Sequence, residues 1–82
     1  MKVRLTRTDW TSEEKLSEAY PILTTYPAFE EYKETWGRNC AYIKLNTIED
    51  LCKLIKDVRE EVVVSYNEAI GCEIEIYDDY RE

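Results

Sequence analysis

The sequence feature that most constrains the fold is a strand–helix–strand pattern in the second half of the chain. Residues 40–46 alternate apolar and polar side chains, which is the period of a half-buried strand. Residues 48–59 place apolar side chains at helical spacing, with Asn46 or Thr47 as the N-cap. Residues 62–64 are three valines, which favour a buried strand. Two strands joined through a helix are expected to run parallel with a right-handed crossover.

Both ends of the chain predict further strands. Residues 2–8 alternate around Val3 and Leu5. Residues 72–77 alternate strictly, and residues 67–71 have the length of a hairpin loop, so the last two strands should pair antiparallel. In the last strand, one face would carry Cys72, Ile74 and Ile76, and the other would carry Glu73, Glu75 and Tyr77.

Two short helices are expected between the first two strands. The spacing of hydroxyl and carboxylate groups in residues 11–14 fits a capping box, and Pro21 would end that helix near Tyr20. Pro27 suits the first turn of a second helix, and Gly37 suits its C-cap. The apolar stripe of the second helix would consist of Phe29, Tyr32 and Trp36.

These elements predict an α+β fold in the order β-α-α-β-α-β-β, with a small mixed sheet packed on helices. A length of 82 residues allows one domain, residues 1–82. A hydrophobic fraction of 44% with 2 Gly and 2 Pro is typical of a globular chain. No apolar run approaches the ~20 residues that span a bilayer, and residues 1–10 lack the apolar core of a signal peptide. We therefore expect no membrane association.

The net charge is −7, and it is concentrated at one end of the chain. Residues 60–82 hold eight acidic residues and one basic residue, whereas residues 1–59 are balanced. A chain with this charge is a poor candidate for direct binding of nucleic acid, because that binding depends on clustered Lys and Arg. The sequence instead indicates a protein partner with a basic surface, such as a nucleic-acid-binding protein.

The predicted partner-binding residues belong to this acidic segment. Carboxylates at alternate positions of a strand lie about 7 Å apart, close to the spacing of successive phosphates, so such a row could imitate a phosphate backbone. Tyr66, Tyr77 and Tyr80 would add rigid contact area. The same pattern also keeps a small domain soluble and its edge strand unpaired, and the sequence alone does not separate the two interpretations. The predicted binding set is Glu73, Glu75, Tyr77, Asp78, Asp79 and Tyr80.

No metal site, cofactor or catalytic residue is predicted. The absence of histidine removes Ser-His and Cys-His nucleophile systems and imidazole ligands. Cys40, Cys52 and Cys72 form no C-x-x-C pair, so we interpret them as reduced thiols of a cytosolic protein. Cys52 and Cys72 are predicted to lie in the core, and Cys40 is predicted to be the most exposed of the three.

A metal-dependent enzyme is the least favoured alternative. Asp78 and Asp79 with Glu75 could attract Mg²⁺ or Ca²⁺, since both cations prefer oxygen ligands. The D-x-D-x-D-G loop is absent, however, and adjacent residues of a strand point to opposite faces. Solvated charge is the simpler interpretation.

Three segments carry a resemblance to known proteins: LNTIEDL at residues 45–51, VVVSY at residues 62–66 and IEIYDDYRE at residues 74–82. About the C-terminal half of the chain thereby resembles small acidic proteins encoded by phages and prophages of Gram-positive bacteria. The resemblance implies a bacterial cytoplasm and a mobile-element origin, and it assigns no site residues. Some small acidic phage proteins, anti-CRISPR proteins among them, disarm host nucleic-acid-binding systems by imitating DNA, and we extend that role to this chain by analogy alone.

The sequence therefore favours a non-enzymatic binding protein that occupies a basic, nucleic-acid-binding site on a protein partner. The alternative is a structural or accessory oligomeric phage protein. In that case the sheet edge and the exposed apolar surface would carry the function, and the acidic face would be inert.

Overall fold

A mixed sheet of five strands carries all the helical segments on one of its faces. The computed structural model describes residues 1–9, 13–35 and 37–78. The strands are β1 (Lys2–Arg7), β2 (Glu30–Lys33), β3 (Asn39–Lys44), β4 (Glu61–Asn67) and β5 (Gly71–Tyr77). The helices are α1 (Leu16–Ala19) and α2 (Ile48–Val58), and a 3-10 helix (Pro21–Thr25) follows α1.

The strand order is β2-β3-β1-β5-β4, so the first and last described strands lie at the centre of the sheet. Strand β1 pairs antiparallel with β3 and parallel with β5. The remaining neighbours, β2 with β3 and β4 with β5, pair antiparallel. Strands β3 and β4, which α2 connects, run in the same direction but are separated by β1 and β5. The predicted antiparallel C-terminal hairpin is confirmed.

The core lies between the sheet and the helices. Its sheet side is formed by alternate residues of the central strands, and Leu16, Leu23 and Leu54 close it from the helical side, all with no exposed surface. Burying each such side chain contributes about 1.5–3 kcal/mol to stability. The sheet contributes Val3, Leu5, Ala41, Ile43, Ile74 and Ile76.

The predicted second helix is wrong, because its residues form strand β2 instead. Tyr32 pairs with Cys40 in the β2–β3 ladder. The turn that follows is closed by two backbone bonds, from Gly37 N–H to Glu34 C=O and from Glu34 N–H to Arg38 C=O, both 2.8 Å long. Gly37 has the positive φ (98°) that the sequence predicted, but it serves a hairpin turn and not a helix C-cap. Trp36, the last member of the predicted stripe, lies outside the described residues.

The first helix ends before Pro21, as predicted, and it begins at Leu16 with Lys15 at the N-cap. The predicted capping box begins at residues 11 and 12, which are not among the described residues. The segment between the two predicted helices, expected to be a turn, forms the 3-10 helix.

Helix α2 has its predicted position but a narrower buried stripe. Thr47 is the N-cap, and its hydroxyl accepts the N–H of Asp50 at 3.1 Å. Leu54 and Val58 are buried, whereas Ile48 is 71% exposed and Cys52 is exposed. The stripe is narrower than predicted because only Leu54 and Val58 lie fully against the core, with Leu51 partly buried beside it.

Strand β4 contains the three predicted valines, but the expectation that they are buried is wrong for Val63 and Val64, whereas Val62 is partly buried against the core. Val63 and Val64 are 47% and 45% exposed. The reason is topological, because β4 is the last strand of the sheet and has a neighbour on one side alone among the described residues.

Three carboxylate groups accept hydrogen bonds that stabilise helix α2 and the β2–β3 turn. Asp50 accepts the N–H groups of Asn46 and Thr47 at the start of α2. Asp57 accepts bonds from Lys53 (2.6 Å) and the Tyr26 hydroxyl (2.9 Å), which ties α2 to the end of the 3-10 helix. Glu34 accepts a 2.6 Å bond from Arg38 within the β2–β3 turn.

These bonds predict a loss of stability in acid. The backbone N–H of Asn46 lowers the pKa of Asp50 below 3.8, Lys53 and then Tyr26 lower that of Asp57, and Arg38 lowers that of Glu34 below 4.5. A carboxyl group whose pKa is lower in the folded than in the unfolded state stabilises the fold fully above the unfolded value. That stabilisation is lost as the pH falls through the folded value. We therefore expect the urea midpoint to be level above about pH 5 and to fall steadily below about pH 4.5.

The variant Asp50→Asn should make this acid-induced fall shallower, because it removes one titrating group. Glu49→Gln is the matched control, since Glu49 is adjacent but accepts none of the bonds described for the α2 cap. Urea denaturation followed by circular dichroism between about pH 2.5 and 7 measures both. An Asp50→Asn profile that is parallel to the parent profile would contradict the assignment.

Candidate protein-binding surface

The β4–β5 hairpin presents different side chains on its two faces. Val64 lies opposite Ile74, and these residues belong to the face that the helices cover. The alternating side chains of both strands project from the opposite, helix-free face of the sheet. We call this set the hairpin face, and it comprises Glu61, Val63, Ser65 and Asn67 of β4 with Glu73, Glu75 and Tyr77 of β5.

Glu73, a predicted binding residue, is compensated within the chain. Arg4 on β1 donates a 2.7 Å hydrogen bond to its carboxylate, and the two side chains are 14% and 20% exposed. Burial lowers the pKa of Arg4, but the hydrogen bond and the charge of Glu73 outweigh it, so the Arg4 pKa is raised. The carboxylate of Glu73 is therefore paired within the chain and less available to an external partner than an unpaired one.

Glu75, also predicted, is joined on the hairpin face by Glu61, which the sequence reasoning missed. The register places Glu61 opposite Tyr77 and Val63 opposite Glu75, so the two glutamates are diagonal neighbours about 7–8 Å apart. Within the described part of the chain, neither glutamate makes an ion pair. Glu61 was missed because it precedes a segment that was predicted to be buried, and its position depends on the hairpin register.

The tyrosines do not converge as predicted. Tyr77 lies on the hairpin face, whereas Tyr66 is 77% exposed on the opposite face, across from Cys72. Asp79 and Tyr80 belong to the predicted binding set but lie outside the described residues.

Asp78, the remaining predicted residue, is buried and cannot face a partner. Its side chain has no exposed surface, and Arg7, whose side chain is 4% exposed, lies 2.7 Å from the same carboxylate oxygen through both Nε and Nη2. Tyr20 donates its hydroxyl to that oxygen at 2.9 Å. The hydroxyl of Thr8 accepts the N–H of Asp78 at 3.0 Å. The network fixes the ends of β1 and β5 to the end of α1, so we assign Asp78 a structural position.

Strand β4 is an open edge of the sheet. The N–H of Thr8 donates to the C=O of Ile76, so the N–H and C=O groups of Ile76 face β1. These groups alternate in direction along a strand, so those of Ile74 also face β1, whereas those of Glu75 and Tyr77 face β4. It follows from the register that Val62, Val64 and Tyr66 direct their N–H and C=O groups away from β5. In residues 1–9, 13–35 and 37–78, no strand pairs on that side of β4.

Few features suit a small ligand or a metal. Shallow depressions of about 200–300 Å³ lie on the surface, and one of them, beside the start of α2, is lined largely by apolar side chains. Among the described residues, no group of three or more Cys, Asp or Glu side chains is arranged to hold a metal ion. The largest of these three depressions, about 300 Å³, is lined by Glu13, Lys15, Glu31, Tyr32, Lys33 and Asn39.

The predicted exposure of two cysteines is wrong. Cys40 has no exposed surface, because β3 lies inside the sheet and the charged side chains of Arg38 and Glu34 surround its thiol. Cys52 is exposed on α2, and Cys72 is half-buried beside the core. All three are free thiols.

Comparison with protein families, with curated proteins and with solved structures finds no match for this chain. No helix in the described ranges is long and apolar enough to cross a bilayer.

The variant Asp78→Asn should destabilise the protein strongly, because it removes the buried counter-charge of Arg7 and leaves the half-exposed Glu14, 3.6 Å away, as the remaining carboxylate partner of the guanidinium among the described residues. Breaking a buried ion pair by removing one partner costs about 3–5 kcal/mol, a large part of the stability of a domain this small. The double variant Arg7→Met with Asp78→Leu should lose less than the two single variants together, since no charge then stays buried. Urea denaturation measures each variant.

Glu13→Gln is the control for this series, because it breaks the exposed Lys33–Glu13 pair, in which Glu13 is 93% exposed. It should leave the urea midpoint unchanged. A midpoint for Asp78→Asn equal to that of the parent would show that the buried pair does not stabilise the fold.

The cysteines should react with a thiol reagent at widely separated rates. Cys52 is exposed and should react first, whereas burial both covers Cys40 and raises the pKa of its thiol, so that it reacts through opening of the fold. We expect modification of Cys40 to be at least ~100-fold slower, as measured by peptide mass mapping after timed alkylation. The variant Cys52→Ser should lose the fast phase and keep the slow one. Equal rates at Cys40 and Cys52 would contradict the structure.

Proposed function

We propose that the protein is a non-enzymatic binding protein of a phage or another mobile element, acting in the bacterial cytoplasm. Its role is to occupy a basic, nucleic-acid-binding surface of a protein partner, and it binds through the hairpin face. The observation that carries the proposal is the pair Glu61 and Glu75, two uncompensated carboxylates held side by side on a helix-free sheet face.

The geometry of this pair supports imitation of a phosphate backbone, but by carboxylates on two strands and not by the predicted row along β5. The row from Glu73 to Glu75 is interrupted because Arg4 neutralises Glu73. The diagonal from Glu61 to Glu75 keeps a similar spacing of about 7 Å, comparable to that of successive phosphates. Two carboxylates on a sheet at this distance fit a site in which two Lys or Arg side chains bind consecutive phosphates.

The side chains between the carboxylates support binding to a protein. Val63 is 47% exposed, and Tyr77 is half-buried next to Glu61. Tyrosine is enriched and charge is depleted at the centres of protein interfaces, while charges at the rim set orientation and association rate. On the hairpin face, Val63 and Tyr77 correspond to the uncharged centre of such an interface, and Glu61 and Glu75 correspond to its charged rim.

The experiment compares the parent chain with Glu61→Gln/Glu75→Gln as baits in nuclease-treated lysate of a Gram-positive bacterium. The matched control is Glu13→Gln/Glu30→Gln, which removes the same charge from exposed residues at other places on the domain. Proteins that the parent and the control retain, and that the Glu61/Glu75 variant loses, are purified. Their binding is then titrated against salt and against competing duplex DNA.

We expect such a partner to bind the Glu61/Glu75 variant about tenfold more weakly, to be released by duplex DNA, and to bind less tightly as salt rises. A partner that binds the variant as tightly as the parent, or that holds DNA and this protein simultaneously, rules out the proposed mimicry.

A second candidate function is favoured by the open edge of β4. A structural or accessory oligomeric protein would use that edge for assembly, and it would need no basic partner. In that case the variant Glu61→Gln/Glu75→Gln would leave assembly through the β4 edge, and the function that depends on it, intact.

A further inference from the structure

We infer that β4 is a self-association surface, through which two copies of the chain pair antiparallel about a two-fold axis at Val64. The inference concerns the edge of the hairpin and not its outer face, so it does not depend on the proposed function. It rests on the composition of the edge, its hydrogen-bond register and its charge distribution.

The two edges of the sheet are protected to different degrees. Strand β2 has four residues, and three of them are charged, which is typical of an edge that avoids pairing. Strand β4 has seven residues, and its central five, Val62 to Tyr66, carry no charge, proline or bulge. Strand β4 therefore has the length and the β-propensity of a pairing strand and lacks the usual protective features.

The hydrogen-bonding groups of this edge select one register. Val62, Val64 and Tyr66 direct their N–H and C=O groups outward. An antiparallel pairing centred on Val64 places Val64 opposite its own counterpart and Val62 opposite Tyr66 of the second copy. All three residues then exchange bonds with the other copy, giving about six N–H···O bonds.

The side chains match in the same register. On the helix-covered side, each Val62 meets a Tyr66, and the two Val64 side chains meet at the axis. Aromatic–β-branched and β-branched pairs are favourable across antiparallel strands. The exposed surface that would be covered includes that of Val64 and Tyr66, which are 45% and 77% exposed.

The charges permit this register despite the net charge of −7. Glu61 is the one charged residue of β4, and it lies opposite Asn67 of the second copy. Moving the centre of pairing towards Glu61 would bring the two Glu61 carboxylates together, and moving it towards Asn67 would leave Val62 unpaired.

The hairpin faces of the two copies lie far enough apart to coexist. In the row that contains Val63 and Ser65, Glu75 of one copy and Glu73 of the other are three strand spacings apart, about 14 Å. This exceeds the Debye length of about 8 Å at physiological salt. The remaining repulsion predicts that added salt strengthens self-association, whereas it weakens binding to a basic partner.

The test is sedimentation velocity over a protein concentration range of about 5–500 µM, at low and at physiological salt. An interface that consists mainly of one strand is small, so we expect the parent to form dimers with a dissociation constant of about 1–100 µM, tightening as salt rises. Val64→Lys and Val64→Glu each place like charges together at the axis, and each should weaken association by at least about tenfold. Val64 is 45% exposed and its backbone N–H and C=O groups point away from β5, so both variants should keep the β4–β5 ladder, and circular dichroism checks that they fold.

An equimolar mixture of Val64→Lys and Val64→Glu is the decisive sample. If Val64 lies at the axis, the mixture pairs Lys with Glu and recovers dimers that neither variant forms alone. Ile22→Lys is the control for loss of an exposed apolar side chain, since Ile22 is 37% exposed on the 3-10 helix and should leave the dimer intact.

A parent chain that stays monomeric over the whole range overturns the inference, and so does a Val64→Lys chain that associates like the parent. A parent dimer without recovery in the mixture overturns the register. Glu61→Gln/Glu75→Gln should still dimerise, so loss of partner binding without loss of the dimer separates failure of the proposed function from failure of this inference.

Discussion

The buried ion pair between Arg7 and Asp78 is the interaction on which the arrangement of this small domain depends. It joins the end of β1 to the residue that follows β5, and Tyr20 brings the end of α1 to the same carboxylate. Two charges with almost no exposure stabilise a fold only while both are present and correctly placed. The pair therefore ties the two neighbouring strands β1 and β5 to the first helix at one buried point, and loss of either partner leaves a buried charge there.

Ion pairs within the chain also reduce the number of carboxylates that the acidic C-terminal segment presents to solvent. Arg4 and Arg7 on β1 neutralise Glu73 and Asp78, so part of the charge asymmetry seen in the sequence is internal pairing between parallel neighbours. The charge that is left on the hairpin face is displaced towards β4, to Glu61 and Glu75. A count of charges along the sequence finds the acidic segment, but the pairing of strands decides which of its carboxylates meet the solvent.

The elements that could be predicted from the sequence are those whose signals are local. Helix α2 has a cap at Thr47 and a helical period, and the last hairpin has strict alternation around a short loop. Strand β2 was missed because the aromatic spacing of Phe29, Tyr32 and Trp36 fits a helix, whereas pairing with β3 made its backbone extended. Propensity is a weak preference, and a partner strand outweighs it.

The candidate site could be predicted in part for the same reason. The alternation of residues 72–77 correctly predicted that Glu75 and Tyr77 share one face of β5, because alternation does not depend on which strands lie beside β5. The burial of Asp78 and Cys40, the compensation of Glu73 and the exposure of Val63 all depend on which strands are adjacent. Strand order is a non-local property, and nothing in the spacing of residues in this single chain encodes that β5 lies beside β1.

The central position of β1 and β5 has a consequence for how the protein is made. The Arg4–Glu73 contact spans 69 residues, so the middle of the sheet cannot form until β5 has been synthesised. At about 5–20 residues per second, β1 waits several seconds on the ribosome before Glu73 and Asp78, the nearest carboxylate partners of Arg4 and Arg7, are synthesised. Any chain interrupted before Gly71 would lack β5, the strand that pairs with β1 on the side away from β3. Such a chain would lack both the β1–β5 ladder and the buried Arg7–Asp78 pair, so it is not a smaller version of the domain.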